Sequence, residues 1–197
     1  MGATIRALRG HAHLSQVAFG ARMAMHHNYL GALERGGVPN PGLETVDRVA
    51  RGLDVSIAVL ADSYANPPTD GALRIDAGSG RSGRGIGAEE GAQVLGEAIR
   101  LVRRRRGLTQ AQLADAAALH RSHLGSIEAG EKPNPGIGTI ASIARGLGAD
   151  GAEPSLLPLL AQTFAGELTV ADLRAMLAVK PSGSSGARSV PYAGPGI

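Results

Sequence analysis

The sequence predicts an all-α fold built from two copies of one small helical domain in tandem. The first observation is a repeated phrase, "PNPG", which begins at Pro39 and again at Pro133. The second is that a shift of 94 positions aligns residues 2–56 with residues 96–150 without a gap, with 21 identical pairs. The third is hydrophobic spacing, which is helical in both copies and shows no β alternation. A period this long is the length of a domain, so the chain contains one domain twice.

Composition limits the class of protein. The chain has 197 residues and a net charge of +3. Residues 1–63 carry 6 cations and 5 anions, and residues 91–153 carry 8 and 6, so charge alone permits nucleic-acid binding without establishing it. There is no cysteine, which excludes disulfides and thiolate metal sites. No apolar run has membrane-spanning length and no signal-peptide pattern is present, so we expect a cytoplasmic protein without membrane contact.

Four helices are predicted in each copy, and a fifth in the first. The pairs cover residues 2–12 and 96–106, then 16–22 and 110–116, then 27–35 and 121–129, and finally 43–52 and 137–146. Ser15 and Thr109 are suitable N-caps for the second helices, and Gln112 completes a capping box with Thr109, whereas the first copy has Ala18 there. The fifth helix, over residues 56–62, closes the first copy.

The remaining chain predicts a linker and a C-terminal extension. The expected segments are domain 1 at 1–63, a Gly/Pro/Ser-rich linker at 64–90, domain 2 at 91–153, extra C-terminal helices within 154–180, and a disordered tail at 181–197. Thr169 and Asp172 are expected to cap the last helix. Its apolar residues share one face: Val170, Leu173, Met176 and Leu177. Because the first copy lacks an equivalent, residues 155–179 are interpreted as an addition that covers the second core or mediates self-association.

The segments "LSQVAFGARMAMHHNYLGALERG" and "LTQAQLADAAALHRSHLGSIEAG" resemble the helix-turn-helix of the Cro and phage-repressor (XRE) family. The buried positions correspond: Phe19, Met23, Met25, Leu30 and Leu33 match Leu113, Ala117, Leu119, Leu124 and Ile127. Gly20 and Ala114 are the small residues where two helices cross. The resemblance implies two lambda-repressor-like domains of the five-helix type, whose third helix enters the major groove of DNA.

The resemblance also implies roles for individual residues. Those expected to face base edges are His27, Asn28, Ala32, Arg121, Ser122 and Ser126. Those expected to contact phosphates are Gln16, Arg35, Asn40, Gln110, Lys132, Asn134, Arg104, Arg105 and Arg106. Internal salt bridges are expected for Arg9 with Glu34 and for Arg103 with Glu128. The alternative for the polar residues of the third helices and the arginine run is an ordinary solvated helix face.

Patterns for catalysis, metals and cofactors are lacking. The histidines at 11, 13, 26 and 27 suggest a metal site only weakly, because their spacing supplies no third ligand. The stretch "GSGRSGRGIG" has neither the preceding strand nor the following Lys-Ser/Thr of a phosphate-binding loop. Ala24 and Ala118 stand at the tight turn where the family commonly has glycine, so a positive φ there would cost about 1 kcal/mol each.

The sequence therefore predicts a bacterial or phage transcription regulator, a repressor without enzymatic activity, cofactor or metal, acting at the nucleoid. Since the reading positions differ between the copies, it would read an asymmetric bipartite site on double-stranded DNA. A flexible linker of 27 residues would span about 29 Å, close to the ~34 Å between half-sites one turn apart. The alternative is a protein-interaction module, such as an antitoxin or a partner-binding scaffold, using one copy or the C-terminal helices.

Overall fold

The computed structural model describes residues 1–67, 85–148 and 156–178, which form eleven α-helices. The first copy contains α1 (Gly2–His11), α2 (Gln16–Arg22), α3 (His27–Glu34), α4 (Leu43–Gly52) and α5 (Ile57–Ala65). The second part contains α6 (Ala88–Arg105), α7 (Gln110–Ala116), α8 (Arg121–Glu128), α9 (Ile137–Leu147), α10 (Leu156–Ala165) and α11 (Val170–Ala178). The predicted all-α fold with two tandem copies is confirmed. The predicted tail lies outside the described residues, as does most of the predicted linker.

Side-chain caps explain where several helices begin. Ser15 Oγ accepts a hydrogen bond from the Ala18 amide at 3.1 Å at the start of α2. At the start of α7, Thr109 Oγ1 accepts from the Gln112 amide at 3.2 Å, and the Gln112 side chain accepts from the Thr109 amide at 2.8 Å. Thr169 and Asp172 form the same reciprocal pair before α11. These contacts satisfy backbone donors that a helix N-terminus leaves without a partner, and they confirm the predicted caps.

The tenth helix is the fifth helix of the second copy. In the first copy α5 packs against α1 and α4, and in the second α10 packs against α6 and α9, which are the matching helices. At an offset of 100, Leu60 and Ala61 meet Leu160 and Ala161. The interpretation of α10 as an addition without a counterpart was wrong, because six extra residues between α9 and α10 interrupt the gapless alignment. The added C-terminal helix is α11, which packs against α6.

Helix α6 starts earlier than the sequence predicted. It begins at Ala88, and its first turns pack against α10 so closely that a Cβ on Gly91 would lie 2.5 Å from the Phe164 carbonyl oxygen. At the matching place in the first copy, the Met1 amino group donates to the Ser63 carbonyl at 2.9 Å. The connection between α5 and α6 is therefore shorter at both ends than the predicted linker 64–90. The other predicted segment boundaries stay predictions.

The two copies contact each other through equivalent residues. Gly42 and Gly136, which match under the 94-residue shift, form an isolated antiparallel bridge. The bridge has two hydrogen bonds of 2.9 Å, from Leu43 N to Pro135 O and from Ile137 N to Pro41 O. Beside it, α5 packs against α10. Contacts in which residue i meets j while j meets i are the mark of twofold symmetry, so a local twofold axis passes between the two "PNPG" phrases.

Candidate nucleic-acid interface

Helices α3 and α8 bury one side and present the other to solvent. Their apolar residues Leu30, Leu33, Leu124 and Ile127 are at most 2% exposed. Of the six predicted base-reading residues, His27, Asn28, Arg121 and Ser122 are exposed, and Ala32 and Ser126 are half-buried. The predicted readers therefore lie on or beside the solvent-facing side of the two third helices. Whether they contact bases stays a prediction.

A histidine caps each third helix, which the sequence analysis did not anticipate. The Nδ1 atom of His26 accepts from the Asn28 amide at 3.2 Å, and that of His120 accepts from the Ser122 amide at 3.3 Å. The Ser122 hydroxyl lies 2.6 Å from the same His120 nitrogen, and the His27 ring stacks on His26 with centroids 4.5 Å apart. Histidine is not among the preferred N-cap residues. The only signal in the sequence was that positions 26 and 120 carry the same residue.

A buried ion pair joins the first and third helices of each copy. The Nε to Oε1 distance is 2.6 Å both for Arg9 with Glu34 and for Arg103 with Glu128. The two carboxylates are 2% and 0% exposed. Burial by itself would raise the pKa of each glutamate, but hydrogen bonds from its arginine and from a glutamine hold the pKa below the ordinary value. Both carboxylates are therefore charged at neutral pH and fix α3 and α8 against α1 and α6.

Gln16 and Gln110, which are predicted to contact phosphates, form hydrogen bonds with these carboxylates. Gln16 Nε2 donates to Glu34 Oε2 at 2.7 Å, and Gln110 Nε2 donates to Glu128 Oε2 at 2.9 Å. A phosphate oxygen only accepts hydrogen bonds, so each glutamine would have to offer it the second hydrogen of the same amide. The structure thus supplies a positioning partner that the sequence did not indicate. The phosphate contact of each glutamine stays a prediction.

Asn40 and Asn134 lie between the copies. Asn40 Oδ1 accepts from the Gly138 amide at 2.8 Å, and Asn134 Oδ1 accepts from the Glu44 amide at 3.1 Å. Each asparagine therefore caps the fourth helix of the other copy. The sequence predicted a phosphate contact for both residues and did not predict this contact, although the strict repetition of "PNPG" was a signal. Their side-chain oxygens belong to the interface between the copies.

The arginine run at the end of α6 does not act as one surface. Arg105 Nη1 donates to the Arg174 carbonyl at 3.1 Å, and Arg106 Nη1 donates to the Leu147 carbonyl. Arg104 instead lines an open groove together with Gln110 and Arg121. Successive residues of an α-helix point about 100° apart, so three in a row cannot share a face. The structure brings Arg104, and not its two neighbours, to the side of the predicted reading helix.

The groove beside α8 is positively charged. Its lining includes Arg100, Arg104 and Arg121, as well as Arg103, whose charge is balanced by Glu128. A concave surface with several cations of one sign attracts phosphate. Two other predicted phosphate contacts, Arg35 and Lys132, are exposed after the third helices. Arg35 lies back along α3, where a Cβ on Gly31 would be 3.0 Å from its Nη1 atom.

The turn between the second and third helices has a left-handed residue in both copies. The φ angle is +50° at Ala24 and +53° at Ala118. The condition for a cost at these turns is therefore met at both alanines. A side chain with a Cβ is strained in this conformation, so each turn keeps its geometry at a cost in stability.

Membrane-spanning and metal-binding features are missing from the described ranges. Among residues 1–67, 85–148 and 156–178, no helix has both the length and the apolarity to cross a bilayer. In the same ranges, no group of three or more His, Asp or Glu residues is placed to hold a metal ion.

Each copy has two short helices joined at a tight turn, α2 with α3 and α7 with α8. The later helix of each pair has an exposed face, and a buried ion pair fixes it to α1 or α6. This arrangement defines a helix-turn-helix protein, here with the unit present twice. The chain matches the family described as "Helix-turn-helix domain" over residues 1–62 and again over residues 94–157, more than half of its length, and it belongs to that family. The predicted resemblance is thereby confirmed for both copies.

A phage protein is among the relatives of this chain. The "Immunity repressor protein" of Bacillus phage phi105 is 43% identical over 54 residues, which are 27% of this chain and 37% of the relative. The chain thus spans well under two thirds of that relative's length. No solved structure matches the chain.

Proposed function

We propose that the protein is a DNA-binding transcription regulator, a repressor, which reads double-stranded DNA with α3 and α8. The observation that carries the proposal is the pairing of two helix-turn-helix units through equivalent residues, with both third helices left exposed. An α-helix fits the major groove, where each base pair offers a distinct pattern of donors and acceptors. The phage relative, named as an immunity repressor, supports the repressor sense of regulation.

The side chains of the third helices fit direct base reading. Arg121 can donate two hydrogen bonds to O6 and N7 of guanine, Asn28 can pair with N6 and N7 of adenine, and Ala32 can contact a thymine methyl. His27, Ser122 and Ser126 complete the reading positions. The cations Arg35, Arg104 and Lys132 would neutralise phosphates on either side of the groove.

The local twofold axis supports a particular arrangement of half-sites. Reading helices related by a twofold axis meet two half-sites in inverted orientation. The residues at the reading positions differ, since His27 and Asn28 correspond to Arg121 and Ser122. The site would therefore be inverted in geometry yet different in sequence in its two halves. The spacing of the halves would follow from the contact between the copies and not from the length of the linker.

Selection of bound sequences from random duplex DNA at about 0.15 M salt tests the proposal. We expect a two-part motif with unlike halves, spaced by about one helical turn. Arg121→Ala and Asn28→Ala should each degrade one half of the motif and leave the other unchanged. A perfect palindrome, a direct repeat, or enrichment of one half alone would contradict the paired reading. Binding that does not weaken as salt rises would contradict DNA binding through phosphates.

One observation favours an additional role in protein contact. Met176 on α11 is 51% exposed, although the sequence predicted that it shares one apolar face with Leu173, which is buried. In contrast, α10 packs against α5, α6 and α9. Self-association through residues 155–179 would therefore have to use α11. Sedimentation of the wild type and of Met176→Ser tests this role, since a concentration-dependent dimer that the substitution removes is the expected result.

A further inference from the structure

The contact between α5 and α10 has two ends that the local twofold axis relates to each other. At the first end, the N-terminus of α5 meets the residues that follow α10. There Glu167 Oε1 accepts from the Ile57 amide at 3.1 Å, and Glu167 Oε2 accepts from the Ser56 hydroxyl. A carboxylate from the second copy thus occupies the helix N-terminus of the first, where the partial positive charge of the helix favours an anion.

The second end is a cavity. It has a volume of about 580 Å³, and its lining includes Tyr64, Asn66, Ala141, Arg145, Leu156 and Leu157. Tyr64 and Asn66 belong to the first copy and the others to the second. The cavity is where the C-terminus of α5 meets the N-terminus of α10, so it is the counterpart of the place that Glu167 fills. Its volume lies in the range of small-molecule sites in proteins.

Equivalent positions at the two ends carry different charges. At the first end Arg51 is paired with Asp47, with Nε 3.1 Å from Oδ1. Under the shift of 94 positions, Arg51 corresponds to Arg145 and Asp47 corresponds to Ala141. Arg145 Nη2 donates to a hydroxyl instead, Ser142 Oγ at 3.0 Å. The cavity is therefore lined by a cation and a helix N-terminus, and by no carboxylate among its described lining residues.

We propose that this cavity binds a small molecule with one carboxylate and an apolar body. Its carboxylate would accept from Arg145 and from the Leu157 amide, as the Glu167 carboxylate accepts from the equivalent Ile57 amide. Its apolar body would contact the Ala141 methyl, the Leu156 side chain and the Tyr64 ring. Such a ligand touches both copies, so it stabilises their pairing by mass action.

The probe for this site is phenylacetate, and the matched neutral control is phenylacetamide. With the full-length protein at constant ionic strength, we expect phenylacetate to bind saturably and to raise the midpoint of thermal unfolding in proportion to the logarithm of its concentration. Phenylacetamide should bind at least about tenfold more weakly. Equal effects of the two compounds, or no saturable binding of phenylacetate, would overturn the proposal.

Three variants locate the site. Arg145→Ala should weaken phenylacetate binding about tenfold or more, because it removes the charged hydrogen-bond donor. The equivalent substitution Arg51→Ala should leave binding within about twofold, since Arg51 already pairs with Asp47 at the opposite end. Ala141→Asp places a carboxylate in the cavity and should abolish binding without loss of helicity. If the Arg51 variant loses binding and the Arg145 variant keeps it, the probe occupies another site and the proposal is wrong.

Discussion

Asn40 and Asn134 each cap a helix that belongs to the other copy. Asn40 accepts from the Gly138 amide at the start of α9, and Asn134 accepts from the Glu44 amide at the start of α4. The backbone bridge of Gly42 and Gly136 lies between them. The start of each fourth helix is therefore stabilised by a contact from the other copy, which couples the pairing of the copies to local folding.

Removing these caps should weaken the coupling between the copies. Asn40→Ala and Asn134→Ala should each lower the free energy of unfolding by about 1 kcal/mol, the usual cost of losing an N-cap. The double variant should lose cooperativity, so that chemical denaturation shows two transitions. Ser15→Ala is the matched control, because it removes a cap within one copy and should lower stability without splitting the transition.

The same variants separate a structural role from phosphate binding. Asparagine carries no charge, so losing it leaves the slope of log K against log salt unchanged in either role, and DNA affinity is the quantity that separates them. If Asn40 only caps α9, Asn40→Ala should leave the DNA affinity of the paired protein unchanged. Lys132→Ala, which removes a predicted cationic phosphate contact, should change the slope by about one unit. A uniform loss of affinity in Asn40→Ala with both copies still paired would instead support the predicted phosphate contact.

Glycine at the two strained turns should stabilise the protein. Ala24→Gly and Ala118→Gly relieve the positive φ angles of +50° and +53° and should each raise the free energy of unfolding by up to about 1 kcal/mol. Ala21→Gly, in the exposed part of α2, should have the opposite sign and cost about 0.5–1 kcal/mol. The urea midpoint measures both. A lower midpoint in both turn variants would mean that the strain is compensated elsewhere.

Breaking a buried ion pair should be severe. Glu128→Gln leaves the Arg103 guanidinium buried without its counter-charge and should cost about 3–5 kcal/mol. Glu131→Gln, an exposed neighbour, should change stability by less than about 0.5 kcal/mol. Urea denaturation at pH 7 measures the difference. Similar midpoints for the two variants would contradict the assigned role of the ion pair.

Acid should destabilise the fold through the same glutamates. The native pKa values of Glu34 and Glu128 are lowered, although burial alone would raise them, because of the hydrogen bonds from arginine and glutamine. Their contribution is complete above the unfolded pKa of about 4.3 and is lost as the pH falls through the lower native pKa. Burial raises the pKa of Asp47 despite its bond to Arg51. The contribution of Asp47 to the free energy of unfolding is therefore present in acid and is lost as the pH rises through its native pKa. Urea midpoints from about pH 2 to 6 should fall toward acid in the wild type and less steeply in Glu128→Gln.

Substitution at one reading position should change the preference of one half-site. Arg121→Ala should relax base preference by about 1–3 kcal/mol at one position in one half. His27→Ala, at the equivalent position, should act on the other half alone. Gln110→Ala should weaken all sequences alike, both through the predicted phosphate contact and because Gln110 supports Glu128. Equal loss for every base in Arg121→Ala would remove this arginine from the reading set.

Local patterns in the sequence predicted the helices well because each depends on neighbours in the chain. The helix caps join residues three positions apart, as at Ser15, Thr109 and Thr169. The tight turns at Ala24 and Ala118 are likewise local features of the backbone. The added helix α11 also followed from its own spacing. The start of α6 was missed because its first turns are held by α10, which is distant in sequence.

The sequence by itself determined the helical fold, its duplication and the positions that diverged between the copies, since a repeat and a helical period can be read along one dimension. Tertiary structure decided how the copies pair, which arginines of a continuous run reach the groove beside Arg121, and that α10 is the counterpart of α5. It also decided that Asn40 and Asn134 face the interface. These features depend on contacts between residues far apart in the sequence, 41 positions for Arg106 with Leu147 and 98 positions for Asn40 with Gly138. The physical reason is that local propensity carries no information on how two folded surfaces meet.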